Sequence, residues 1–164
     1  MLALAIKYHE GQKRKYSDLP YIAHPIEVAM RVTEFYPDSF LVDAAIGHDL
    51  KEDTPVSDEE IISVSSQSTL DIINELTNTS DKNLSRSERK RIDRERLGKV
   101  SDYAKLIKMI DRTCNLDDLH DAPLDFKILY LEESKLLYPF LEIEVFHINY
   151  NYRISTRCSC IILI

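Results

Sequence analysis

Gly47-His48-Asp49-Leu50-Lys51-Glu52-Asp53-Thr54 sets an imidazole beside a carboxylate and adds two further acids within a helical turn. A His-Asp pair can offer two donors to one divalent ion. On a continuous helix Glu52 stacks over His48 and Asp53 over Asp49, because residues four apart share a face. Ligands and spare carboxylates on one face suit a metal and the handling of protons beside it. Ala44, Ala45 and Gly47, just ahead of the pair, are small and allow close packing, so the stretch predicts a helix over 39–51.

Outward from that stretch the chain continues to read as helix. It has three glycines, and its prolines at 20, 25, 37, 55, 123 and 139 fall where helices start or stop. Helices are predicted over 1–10, 25–35, 57–64, 70–77, 85–97, 104–119 and 126–144. The second carries an apolar stripe of Ile26, Ala29, Met30 and Val32. The third opens on a capping box, Ser57 with Glu60 three residues later. No alternating strand pattern occurs before the extreme C-terminus, and there is no internal repeat or linker. The expected architecture is all-α, a single-domain helical bundle.

Composition narrows the function classes. A 164-residue chain that is 44% hydrophobic and 30% charged has enough apolar residues for one core. No run of about 18 apolar residues is present, so no membrane span is expected. A net charge of -7 argues against a general nucleic-acid binder. The run 85–96 is rich in Arg and Lys, but acids interrupt it and it reads as a solvated helix face. Cys114, Cys158 and Cys160 make no disulfide framework, which makes a reducing cytoplasm the expected location.

Two further residues extend the His-Asp pair. His24 sits in Pro20-Tyr21-Ile22-Ala23-His24-Pro25, where two prolines restrict the backbone ahead of a helix. Asp111 lies mid-helix in an apolar stretch, where a carboxylate is costly unless paired or bound to a cation. Asn115, four residues on, can orient a ligand or a water. His24, His48, Asp49 and Asp111 form a two-His, two-carboxylate set suited to Mn²⁺, Fe²⁺ or Zn²⁺. Lys13, Arg14, Lys15 and Lys108 supply cations for an anionic substrate, and Arg14 can stack flat on a purine.

Four ordered motifs carry a family resemblance: H-x-G-Q-x-R-K (His9, Gly11, Gln12, Arg14, Lys15), P-Y-I-x-H-P (20–25), H-D-x-x-E-D-T (48–54) and K-x-x-D-x-x-x-N-L (108–116). From about residue 2 to 140 the chain resembles the HD-superfamily hydrolase domain of RelA/SpoT proteins, particularly its small stand-alone relatives of the metazoan SpoT-homologue type. The resemblance implies an all-helical domain over 1–145 that removes the 3′-pyrophosphate of ppGpp or pppGpp, with Mn²⁺ as cofactor. It implies metal ligation by His24, His48, Asp49 and Asp111, and catalysis by Glu52 and Asp53. Substrate contacts are implied for Arg14, stacked on guanine, and for Lys15, Ser17, Tyr21 and Asn115.

Several positions depart from the family pattern. The loop 15–20 is one residue longer than the common bacterial form, which bears on Ser17. Gly47 replaces the usual Leu, at a helix-interior cost of about 1 kcal/mol relative to Ala. Asp117 replaces a usual basic residue, which predicts weaker phosphate affinity. The tail 146–164 is unlike the helical end of relatives and is expected to pack imperfectly, and the chain's length leaves no room for a synthetase domain. Two rival functions follow from the same residues: an HD phosphohydrolase for another nucleotide such as NADPH, or a nucleotide-binding module without turnover.

Overall fold

Four serines open helices in the computed structural model, which describes residues 1–143. Ser57, Ser66, Ser85 and Ser101 each accept a hydrogen bond from the backbone N–H three residues on. They start α5 (Asp58–Val64), α6 (Gln67–Leu76), α7 (Arg86–Leu97) and α8 (Asp102–Asp117). Each satisfies a donor that the helix itself leaves orphaned. Ser57 with Glu60 and Ser85 with Glu88 are complete capping boxes. The remaining helices are α1 (Leu2–Tyr8), α2 (Ala23–Thr33), α3 (Ser39–Gly47), α4 (Leu50–Asp53) and α9 (Leu124–Leu137), followed by a 3-10 turn over Tyr138–Leu141.

The described residues are all-α, as expected; their only strand-like feature is one antiparallel bridge, Lys13 with Pro20. That bridge closes the loop 13–20, and just ahead of it the chain turns at Gly11, where φ is +78°, a conformation that costs glycine little. No described helix is long and apolar enough to cross a membrane. The expected tail, 146–164, lies outside the described residues, as do Cys158 and Cys160; the helix expected over 126–144 starts earlier, at Leu124, and ends at Leu137, where Pro139 falls in the 3-10 turn.

α2, α3, α6 and α8 pack around the main core. Val28, Val32, Leu41, Ala44, Leu50, Ile73 and Ile107 are fully buried there. On α2 the buried face is Pro25, Val28, Ala29 and Val32. Met30, expected in the stripe, is 66% exposed. The helix begins two residues earlier than expected, and its inward set follows the i, i+3, i+4, i+7 spacing from Pro25. α9 and the 3-10 turn form a second, smaller layer against α7 and α8, with Leu97, Leu137 and Leu141 between them.

The helix expected over 39–51 is two helices. α3 ends at Gly47, and α4 begins at Leu50. His48 and Asp49 occupy the junction, with Asp49 at φ -99°, ψ -6°. The simple stacking of Glu52 over His48 is therefore replaced by a bend that turns both members of the pair toward α8.

Packing accounts for Gly47. A Cβ there would lie 2.8 Å from Ile73 Cδ1 and 3.3 Å from Met1 Sδ. The space that a larger side chain would need is already filled, and Ile73 is fully buried. Gly47→Leu should therefore destabilise the fold by about 1–3 kcal/mol, the usual cost of overpacking, despite its better helix propensity. Urea denaturation at constant m checks this; an unchanged or higher midpoint would show that the junction has room.

Candidate active site

Three elements bring the metal candidates together. α2 presents His24 in its first turn, the α3–α4 junction presents His48 and Asp49, and the middle of α8 presents Asp111. His24 Nε2 lies 3.0 Å from Asp111 Oδ1 and 3.8 Å from Asp49 Oδ2. His48 Nε2 lies 3.0 Å from Asp49 Oδ2 and 3.6 Å from Asp111 Oδ1. Donor atoms of His24, His48 and Asp111 all fall within 4.8 Å of one another, and all three residues are buried. Asp49 flanks this group and is tethered by the Tyr21 hydroxyl, which donates to its Oδ2 at 2.6 Å.

The hydrogen bonds bear on whether a cation fits. His48 Nδ1 is 2.7 Å from the Ala45 carbonyl, which can only accept, so Nδ1 carries the ring proton. In the neutral ring Nε2 is then a lone pair facing two carboxylates. It is buried and has no hydrogen-bond partner among the described residues, and the same is true of His24 Nδ1. Burial opposes charging His48, but Asp49 and Asp111 outweigh it and lift its pKa to about 10. The cluster thus calls for positive charge at one point, and a divalent cation on two imidazoles and two carboxylates supplies it. The donor set fits such an ion without choosing among Mn²⁺, Fe²⁺ and Zn²⁺.

Neighbours hold the ligands in place. Burial would raise the Asp111 pKa, but Lys108 and the two histidines drive it well below the ordinary carboxylate value. Lys108 Nζ donates to Asp111 Oδ2 at 2.8 Å, and Asn115 Nδ2 donates to Oδ1 at 2.6 Å. Arg14 Nη2 donates to Asn115 Oδ1 at 2.8 Å, while Arg14 Nε and Nη2 both reach Asp118 Oδ2. Fixing a ligand through such a shell is how proteins set metal affinity. His9 is buried, is 2.8 Å through Nδ1 from Gln12 Oε1, and packs 4.8 Å from the Tyr21 ring.

A cavity of about 240 Å³ opens beside the cluster. Tyr21, Asp49, Glu52, Asp53, Asp111 and Asn115, all singled out from sequence, line it. Glu52 Oε1 accepts the Asn78 N–H at 2.6 Å. Glu52 and Asp53 sit at the solvent side of the cavity, and burial of their pocket-facing sides raises both pKa values. Burial, then the negative charges around it, raises the Tyr21 phenol so far that it stays a hydrogen-bond donor.

Three expected substrate residues stand outside this lining. Arg14 is spent on Asp118 and Asn115, with its guanidinium 5.7 Å from the Tyr21 ring. Lys15 is exposed and packs over Tyr16 and Phe126 at 5.0 and 4.8 Å. Ser17 has a buried hydroxyl with no hydrogen-bond partner among the described residues. Asp117 faces away from the cavity and pairs with Arg31 of α2 at 2.7 Å.

The sequence reading weighed the run 85–96 as a pocket border but assigned no site there, and it left the rest of the lining unassigned: Lys90 and Arg94 of α7, Arg112 of α8, and Tyr130 and Glu133 of α9. Arg112 lies 3.5 Å over the Tyr130 ring and donates to Ser134 Oγ at 2.7 Å. Glu133 pairs with Arg86 at 2.7 Å. The available signal was a buried polar face on α9, where Glu133 and Ser134 interrupt an apolar helix and imply a buried partner.

The comparisons with known proteins agree with this geometry. A family model described as HD domain matches residues 2–141. The chain is 38% identical over 118 residues to guanosine-3′,5′-bis(diphosphate) 3′-pyrophosphohydrolase MESH1 of Xenopus tropicalis, covering 70% of this chain and 65% of that one. It is 36% identical over 119 residues to the Homo sapiens protein of the same name, covering 71% and 65%. The chain thus spans just under two thirds of the length of these curated relatives. A solved structure, described as a metazoan orthologue of SpoT that hydrolyses ppGpp and plays a role in starvation responses, superposes with a TM-score of 0.76. Its sequence identity is 32%, over 85% of this chain and 82% of that one.

A metal test follows from the orphaned His48 Nε2. Saturating Mn²⁺ should raise the melting temperature, by the equivalent of about 2.7 kcal/mol at a hundred times its Kd. His48→Ala and Asp111→Asn should each lose most of that shift. Undiminished Mn²⁺-dependent shifts in both variants would place the metal elsewhere.

Proposed function

Because the chain belongs to the HD-domain family and groups with the metazoan SpoT orthologue, we propose that it hydrolyses the 3′-pyrophosphate of guanosine 3′,5′-bis(diphosphate). The products are GDP from ppGpp, or GTP from pppGpp, and pyrophosphate. The observation that carries this reading is a cavity, lined by Asp49, Asp111, Glu52 and Asp53, beside the buried His24, His48 and Asp111. His24, His48, Asp49 and Asp111 would hold the divalent ion, with Mn²⁺ as the proposed species. A bound ion there would polarise a phosphoryl oxygen and lower the pKa of water.

The chain's own residues have distinct tasks in this reading. Glu52 or Asp53 accepts a proton from the attacking water; a raised pKa brings either group nearer the working pH of a general base. The water oxygen bonds to the 3′-phosphorus, the bond from phosphorus to the ribose 3′-oxygen breaks, and that oxygen takes up a proton. Lys108, kept charged by Asp111, Asp49 and Glu52 against its burial, offsets the charge that builds on phosphoryl oxygens. Tyr21 fixes Asp49, and Asn115 with Arg14 behind it fixes Asp111. Residues 1–143 then contain every proposed site residue, and a reducing cytoplasm suits the buried free thiol of Cys114.

Incubation with ppGpp and Mn²⁺ should give GDP and pyrophosphate, and chelator should stop it. Release of phosphate from NADPH with ppGpp left intact would assign the pocket to another nucleotide. Glu52→Gln should lower kcat by about a hundredfold to ten-thousandfold with little change in KM.

The pH profile adds a check. Burial holds the Glu52 carboxyl above the ordinary glutamate value. As pH falls through that raised value the carboxylate is protonated and loses its capacity to accept, so the acid limb of kcat/KM should lie above the ordinary glutamate range. An acid limb that keeps its position in Glu52→Gln would remove Glu52 from this role.

A further inference from the structure

The charged groups lining the cavity do not cancel evenly, and the remainder is segregated. Lys108 is paired with Asp111, Arg112 with Ser134 and Glu133, and Asp93 with Arg96. The α3–α4 junction and α4 are left with the acids Asp49, Glu52 and Asp53, beside the proposed metal. α7 is left with Lys90 and Arg94 in the lining, one helical turn apart, whose side chains make no hydrogen bond or ion pair among the described residues. Lys90 is half-buried, and burial together with the positive charges of Lys108 and Arg112 lowers its pKa. A protein that needed only stability would place an apolar or neutral residue there. Unpaired cations converging on a cavity are what an anion requires.

Resting on the reading above, we infer that Lys90 and Arg94 form a second phosphate subsite, which holds a phosphate group of the substrate other than the one attacked. The substrate class is a nucleotide with phosphates at two separated positions. The acidic wall and its metal handle the reacting phosphorus, and the α7 wall anchors the remaining charge. Binding energy taken from a non-reacting group is present in both ground state and transition state, so it appears in KM. The two residues select for the number of phosphates and leave the chemical step to the opposite wall.

The test uses Lys90→Gln and Arg94→Gln in the full chain, with two readouts. Inorganic pyrophosphate, titrated without metal and with chelator present, should bind the wild type and bind each variant about tenfold or more weakly, as expected for losing a charge-assisted hydrogen bond. With ppGpp and Mn²⁺, KM should rise by a similar factor while kcat holds. Comparing ppGpp with the analogue bearing a single 5′-phosphate identifies the phosphate held. A KM penalty that shrinks with the analogue assigns the subsite to the 5′-diphosphate, and an equal penalty assigns it to the outer phosphate of the 3′ group. Ligand-free Lys90→Gln should melt at or above the wild-type temperature, since an uncompensated charge has been removed. Wild type that fails to bind pyrophosphate, variants that bind it equally well, or a fall in kcat at constant KM would each overturn the subsite. A wild type that leaves ppGpp intact, yet binds pyrophosphate through Lys90 and Arg94, would sink the proposed reaction and retain the subsite.

Discussion

The Asp111 carboxylate, buried in the middle of α8, is the constraint around which the other elements arrange themselves. An ionised carboxylate in an apolar helix face is untenable without compensation. Here Lys108 and Asn115 reach it from the same helix, and His24 reaches it from α2. His48 approaches its Oδ1 from the α3–α4 junction at 3.6 Å. Those contacts require α2, α3 and α8 to pack at one depth, which the small residues Ala29, Ala44, Ala45 and Gly47 allow. The core around Val28, Leu41 and Ile107 can therefore be read as the support of a polar centre as much as a hydrophobic end in itself. Removing one member of such a network leaves its partners buried and uncompensated, which costs more than the contact that was lost.

Much of this was legible in the sequence because local rules and the site pointed the same way. The capping box at Ser57 and the proline positions marked several helix ends, whereas the caps Ser66 and Ser101, which start α6 and α8 ahead of the expected positions 70 and 104, went unread. His24, His48, Asp49 and Asp111 were readable as candidate metal ligands, and the structure brings their side chains together. The break at His48-Asp49 was not legible, because Leu50 to Asp53 has good helix propensity and nothing in it signals a stop. At the break the His48 ring donates back to the Ala45 carbonyl of α3, and Asp49 accepts from Tyr21, which is distant in sequence. Gly47 was opaque for a related reason: its meaning lies in Ile73 and Met1, distant in sequence and near in space.

Which α7 cations face the cavity could not be picked out from the sequence. Residues 85–96 show cations at nearly every turn, interrupted by acids, and such a run is normally a solvated face. The structure sorts them. Arg91 pairs with Glu95 and Arg96 with Asp93, along the helix, while Arg86 crosses to Glu133 of α9. Arg89, Lys90 and Arg94 are what the pairing leaves over, of which Lys90 and Arg94 line the cavity, and a linear pattern cannot show a remainder that depends on which acids fold back onto the helix.

The same sorting reconciles a net charge of -7 with an anionic substrate. Charges separated by more than about 8 Å are largely screened at physiological salt, so the acidic surface as a whole decides little about binding. What decides is the field inside a cavity of about 240 Å³, where the walls exclude water and screening is weak. There the carboxylates of Asp49, Glu52 and Asp53 would repel a polyphosphate outright without a divalent ion between them. In the proposed reading, a divalent ion at these carboxylates would offset that repulsion where the reacting phosphate sits. The opposite wall needs no metal, because Lys90 and Arg94 already carry the charge. On this proposal, binding at one end of the pocket would depend on the ion and at the other end on the chain's own cations.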